Sequence, residues 1–255
     1  MKNPVVLIGI GEMGAVFARG LLRIGYPVVP VTRTTDIDKR AQEWPHPEMV
    51  LIAVAEKDVQ SALSSLPDPW RDRVALLQNE LLPRDWQAHA LKHPTIISVW
   101  FEKKKGQDVK VLIPSPVHGP KAGILKQALD ALDIPCRRLE SEQELLHELI
   151  LKNVYILTTN IAGLVTGGSV SELWSHHESL AREVADEIMD IQEWLTGVTL
   201  DREGMIRDML IAFAGDPDHQ CMGRSAPARL QRALEIADKA GLAVRKIREI
   251  QSGLS

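Results

Sequence analysis

Where the continuous apolar run Pro4 to Ile10 (PVVLIGI) gives way to an amphipathic helical pattern, the chain passes through Gly9-Ile10-Gly11-Glu12-Met13-Gly14. Such an uninterrupted run predicts a parallel strand buried on both faces. From Gly11 to Ile24 the residues Met13, Val16, Phe17, Leu21 and Ile24 fall on one broad helical face, and Gly25 stands where a C′ glycine ends a helix. Pro27 to Val31 supplies the next strand. A bare G-x-G-x-x-G occurs often by chance; here it follows a strand, opens a helix and lies in a βαβ unit of the right length. Its glycines serve a tight turn, close backbone approach to a pyrophosphate and tight packing of helix on strand. Gly9, Gly11, Glu12, Met13 and Gly14 are therefore the expected cofactor-binding turn, with the helix N-terminus facing the phosphates.

The residues after the second strand choose between the two nicotinamide dinucleotides. An NAD-binding unit places an acidic residue there for the ribose 2′-hydroxyl. This chain has Thr32-Arg33-Thr34-Thr35 instead. A carboxylate would repel a 2′-phosphate, whereas Arg33 offers a planar cationic fork and the threonines offer hydroxyl donors. NADP(H) is the expected cofactor, the alternative being that Arg33 is a solvated loop arginine. Asp36 is placed to cap the following helix.

Strands and helices then alternate. Met49 to Ala55, Val74 to Gln78, Thr95 to Phe101 and Val109 to Ile113 are β-rich, while Lys57 to Leu66, Pro83 to Leu91 and Lys121 to Leu132 have helical patterns. That alternation predicts a mainly parallel sheet covered on both faces. After about Arg138 the pattern changes to long helices, Glu142 to Leu164, Glu178 to Leu195, Asp201 to Ala214 and Pro227 to Gly241, with Ser175, Asp201 and Ser225 at N-cap places. The fold class is α/β, with an N-terminal Rossmann dinucleotide-binding domain over residues 1–138 and an all-helical C-terminal domain over 139–255.

A net charge of −4 without a basic stripe argues against nucleic-acid binding. Lys103-Lys104-Lys105 reads as a solvated turn between strands. Cys136 and Cys221 give neither a disulfide framework nor metal-ligand spacing, and His176-His177 lack a third ligand, so no metal is expected. No run of the roughly 18 to 20 apolar residues of a membrane helix stands out, and no secretory signal opens the chain. The expectation is a soluble cytoplasmic protein, monomer or homodimer, acting on a small molecule.

GIGEMG, the arginine directly after the second strand, Asn79 in Leu77-Gln78-Asn79-Glu80, the two-strand segment from Ser98 to Val117-His118-Gly119-Pro120, and the helix Leu151-Lys152-Asn153-Val154-Tyr155-Ile156-Leu157-Thr158-Thr159-Asn160 together resemble the ketopantoate reductases (2-dehydropantoate 2-reductases) of the 6-phosphogluconate dehydrogenase-like group. The resemblance spans nearly the whole chain and is diffuse outside the first motif. It implies that Asn79 lies near the nicotinamide and that Lys152 is the general acid protonating the developing alkoxide in carbonyl reduction. An ammonium in an apolar cleft gives up its proton more readily, which suits a lysine to that task.

Helical geometry adds to this reading. Lys152 and Thr159 project roughly 20° apart, and Asn160 lies about 80° from Lys152. From Asn153 to Ser171 no residue is charged. The polar stripe is either a solvated face or a cleft lining, and the missing charge favours the cleft. Asn160 is then a catalytic companion of Lys152, and Thr159 a substrate-binding residue. The family has a second asparagine where this chain has Ile156, and a glutamate gripping the substrate hydroxyl where this chain has Ser225. A serine keeps the hydrogen bond and loses its charge-assisted part.

The expected function is NADPH-dependent reduction of a small 2-oxo acid or related ketone. One alternative is a pyrroline-5-carboxylate reductase-like enzyme, although that family's proline-rich segment after the fourth strand has no counterpart here. Another is a catalytically weakened NADP(H)-binding sensor or scaffold, suggested by Ile156 and Ser225.

Overall fold

The computed structural model describes Lys2 to Leu254. The chain forms two compact units, one ending at Leu149 and the other beginning at Ile150.

The first unit is built on the predicted alternation. β1 (Val5–Ile8), β2 (Val28–Val31), β3 (Met49–Ile52), β4 (Val74–Leu76) and β5 (Thr95–Ile97) are separated by α1 (Glu12–Arg23), α2 (Ile37–Glu43), α3 (Val59–Ser64) and α4 (Pro83–Gln87). The hairpin β6 (Phe101–Glu102) and β7 (Lys110–Val111) follows, then β8 (Ser115–His118), α5 (Ala122–Asp130) and β9 (Cys136–Arg138). Seven strands form one sheet in the order β2-β1-β3-β4-β5-β8-β9. All its pairings are parallel except β5 with β8. Every residue of β1 and β3 is buried, as continuous apolar runs demand of strands covered on both faces. Phe17 and Leu21 of α1 join Leu125 and Leu129 of α5 in the core of this unit.

Asp36 caps α2 as expected, its carboxylate accepting from the Lys39 N–H at 3.1 Å. Gly25, at φ +81°, follows the last turn of α1. The helix expected over Lys57 to Leu66 is shorter, because Glu56–Asp58 forms a 3₁₀ turn before α3.

The second unit takes up α6 (Glu142–Thr166), within which the division falls, α7 (Val170–Thr196), α8 (Arg202–Gly215), α9 (Ala226–Ala240) and α10 (Arg245–Gly253). Two sequence expectations need correction here. Ser175 is not an N-cap, since α7 begins five residues earlier. Ser169 accepts from the Glu172 N–H, and the Glu172 carboxylate accepts from the Ser169 N–H at 2.8 Å. These bonds hold the Glu172 carboxyl below the usual carboxylate range. The helix expected from Glu178 is the part beyond a break at His177, where φ −136° and ψ 32° leave the helical region. The second correction concerns α6, which by length and composition is apolar enough to cross a membrane. It is instead mostly buried within the protein, as a core helix is.

Candidate active site

The glycine turn leaves the C-terminal end of β1 and lies against the end of β3, and its three glycines answer to different constraints. At Gly9, φ is +94° and an added Cβ would lie 2.7 Å from the Ala53 carbonyl oxygen. At Gly14 an added Cβ would strike the Gly9 carbonyl. Those two are demanded by the protein's own packing. Gly11 is not: its φ of −77° and ψ of −170° suit any residue, and an added Cβ would meet nothing within 4 Å. Nothing within the polypeptide demands glycine there, and the open space above Gly11 leaves its backbone approachable by a ligand. The residues therefore fit a dinucleotide diphosphate.

After β2, the Thr32 and Thr35 hydroxyls are 3.0 Å apart, the Thr32 and Thr34 hydroxyls 3.2 Å apart, and the Thr32 N–H donates to Thr35 Oγ1. This local network fixes the loop and leaves Arg33 projecting, with 90% of its side chain exposed and Nη2 3.4 Å from Asp58 Oδ2. Across the edge, Asn79 Nδ2 donates to Glu56 Oε1 at 3.0 Å. Its neighbour Gln78 is buried and donates to the Ile52 carbonyl at 2.7 Å, tying the end of β4 to β3. The turn closes through Glu80 at φ +59°, a left-handed residue that costs on the order of 1 kcal/mol. Neither Gln78 nor Glu80 carried a sequence signal. Ser98, just past β5, is buried with its Oγ unpartnered.

In the second unit, Lys152 is half-buried on α6 with Nζ 5.5 Å from the Tyr155 ring centroid. Thr158, Thr159 and Asn160 are all buried, so the uncharged polar stripe is not a solvated face. Thr159 Oγ1 donates to the Tyr155 carbonyl at 2.9 Å. Asn160 is held on both sides: Oδ1 accepts from Arg229 Nη1 at 2.7 Å and Nδ2 donates to the Cys221 carbonyl at 3.0 Å. The Cys221 N–H in turn donates to the Gly168 carbonyl. Burial, with a smaller effect of Glu172, pushes the Cys221 thiol up to about 11, so what this residue offers is its peptide group. Ser225 is exposed at the N-cap position of α9 and makes no side-chain cap bond. Arg229, one turn further along, is 7% exposed and was missed, because a buried arginine on an otherwise charged helix looks like any surface arginine.

No protein-family model and no curated protein matches the chain. Solved structures do match over its full length. A probable 2-dehydropantoate 2-reductase from Bacillus subtilis covers 98% of both chains at 16% identity with a TM-score of 0.69. The chain has the ketopantoate reductase fold. A dimeric ketopantoate reductase from Staphylococcus aureus agrees at 17% identity and a TM-score of 0.64, covering 98% of this chain and 97% of its own. D-mandelate dehydrogenase, solved with NADH and anilino(oxo)acetate, matches at 12% identity and a TM-score of 0.65, covering 97% of this chain and 96% of its own. The resemblance read from the sequence thus holds at the level of the fold.

Proposed function

We propose that this chain is an NADPH-dependent reductase of a small 2-oxo acid or related ketone, in the manner of a ketopantoate reductase. The observation that carries the reading is Gly11, a glycine required by nothing inside the protein, in a turn whose fold is shared with enzymes of 2-oxo acids. The backbone of Gly9, Gly11, Glu12, Met13 and Gly14 would hold the diphosphate, with Thr32, Arg33 and Thr34 around the 2′-phosphate and Asn79 near the nicotinamide. Reduced nicotinamide, when bound, supplies a hydride to the ketone carbon. Lys152 Nζ gives a proton to the ketone oxygen as negative charge develops there. Tyr155 lies alongside that ammonium, and Asn160 is presented in one orientation by Arg229 and the Cys221 carbonyl. Thr159 and Ser225 complete the proposed substrate-binding set, and the protein works in the cytoplasm as a monomer or homodimer.

A second reading, an NADP(H)-binding sensor or scaffold, draws on Ile156 and on an exposed Ser225 in place of the family's polar pair. NADPH consumption with ketopantoate and a panel of 2-oxo acids separates the two. The expected result is turnover that vanishes in Lys152→Ala while NADPH affinity stays unchanged. Turnover surviving in Lys152→Ala would remove the proposed acid. Binding without turnover on any ketone would favour the sensor.

A further inference from the structure

The lysine run that reads as a solvated turn does not behave as one unit. Lys104 has 58% of its side chain exposed, Lys103 only 21%. Lys103 turns back toward α1, its Nζ 3.6 Å from Glu12 Oε2 and donating to the Lys104 and Gln107 carbonyls. Glu12 is the first residue of α1 and directly follows Gly11. A carboxylate there suits the positive end of the helix dipole but opposes a diphosphate arriving at the same place. Lys103 offsets that charge. Its placement is built in: Phe101 on the same hairpin packs on Phe17 of α1, ring centroids 6.2 Å apart. Topology supplies the reason. β5 runs parallel to β4 and β8 returns antiparallel, so the hairpin between them sits at the edge where the glycine turn lies.

Resting on the reading that this chain binds a dinucleotide, we propose that Lys103 is a further cofactor-binding residue: a cation carried by the β6–β7 hairpin, held by Glu12, that engages the diphosphate above Gly11. The open space at Gly11 and the inward-turned ammonium are independent observations meeting at one turn. The diphosphate takes over the ion pair that Glu12 makes in its absence.

Binding of NADPH and of adenosine 2′-monophosphate, which lacks the diphosphate, tests the assignment directly by calorimetry at two salt concentrations. Lys103→Gln is expected to weaken NADPH about tenfold and flatten its salt dependence, with adenosine 2′-monophosphate unaffected. Glu12→Gln is expected to tighten NADPH severalfold, and Lys103→Gln to weaken it still in that background. Wild-type affinity and salt dependence in Lys103→Gln would overturn the assignment. So would equal losses for both ligands, or an effect of Lys103 that disappears without Glu12, which would make the lysine only a brace. If wild-type protein bound neither ligand, the nucleotide-binding reading would fall, and this assignment with it.

Discussion

At Arg33 the contest between a phosphate ligand and an idle surface charge involves one neighbour, the Asp58 carboxylate 3.4 Å away. An ion pair this exposed contributes only about 0–1 kcal/mol, so a doubly charged phosphate displaces it readily. On the proposed assignment, Arg33→Ala is expected to weaken NADPH tenfold or more and NADH hardly at all, because a charge-assisted contact of about 1.5–3 kcal/mol would exist only with the 2′-phosphate. Asp58→Asn should tighten NADPH a few-fold. Dissociation constants for both dinucleotides check this, and equal losses in Arg33→Ala would undo the 2′-phosphate assignment. Some placements are legible because they are local: Asp36 accepts from the Lys39 N–H three residues on, and Gly14 packs on the Gly9 carbonyl five residues back. Arg229 depends on Asn160, 69 positions away in the chain, and its burial could not be read from α9 alone.

Helices α1 and α5 meet where Gly20 faces the backbone of Ala128, so closely that an added Cβ would strike the Ala128 carbonyl. Alanine at position 20 would gain about 1 kcal/mol in helix propensity. Overpacking against rigid backbone costs about 1–3 kcal/mol and wins. Gly20→Ala is therefore expected to lower stability by up to about 2 kcal/mol net; a rise in its urea midpoint would show that the α1–α5 approach is looser than described. The same scale explains which elements the sequence hid. β9 is three residues long with two arginines, of which only Cys136 is buried, so no alternation develops. α10 buries only Ile247 and Ile250, too narrow a stripe to announce a helix, and it follows Val244 at φ +35° where no glycine signals a boundary. α7 was found only past its break because Val170 to His177 forms barely two turns, and Ser175 competes with Ser169 as a plausible cap.

Over the whole molecule, sequence identity is only 10% to 17% against solved structures that align along nearly the full chain. What is shared is the order of elements, which the alternation of strand and helix makes readable without any close relative. Because a ligand that binds only the folded state stabilises it by mass action, NADPH at about a hundred times its dissociation constant should add about 2.7 kcal/mol. That is a rise of several degrees in the melting temperature. NADH at the same concentration should give a smaller rise, and the absence of any shift with NADPH would count against a nucleotide site. The antiparallel return of β8 has a broader consequence. A sixth parallel strand would need a long crossover, usually helical, whereas the reversal lets a short ribbon bridge β5 and β8 beside the glycine turn. Its tip, residues 103–109, can thus change in length and charge without disturbing the strand pairs behind it. The scaffold carries an exchangeable part, and the charge set beside the glycine turn can be redesigned there while the framework is left as it is.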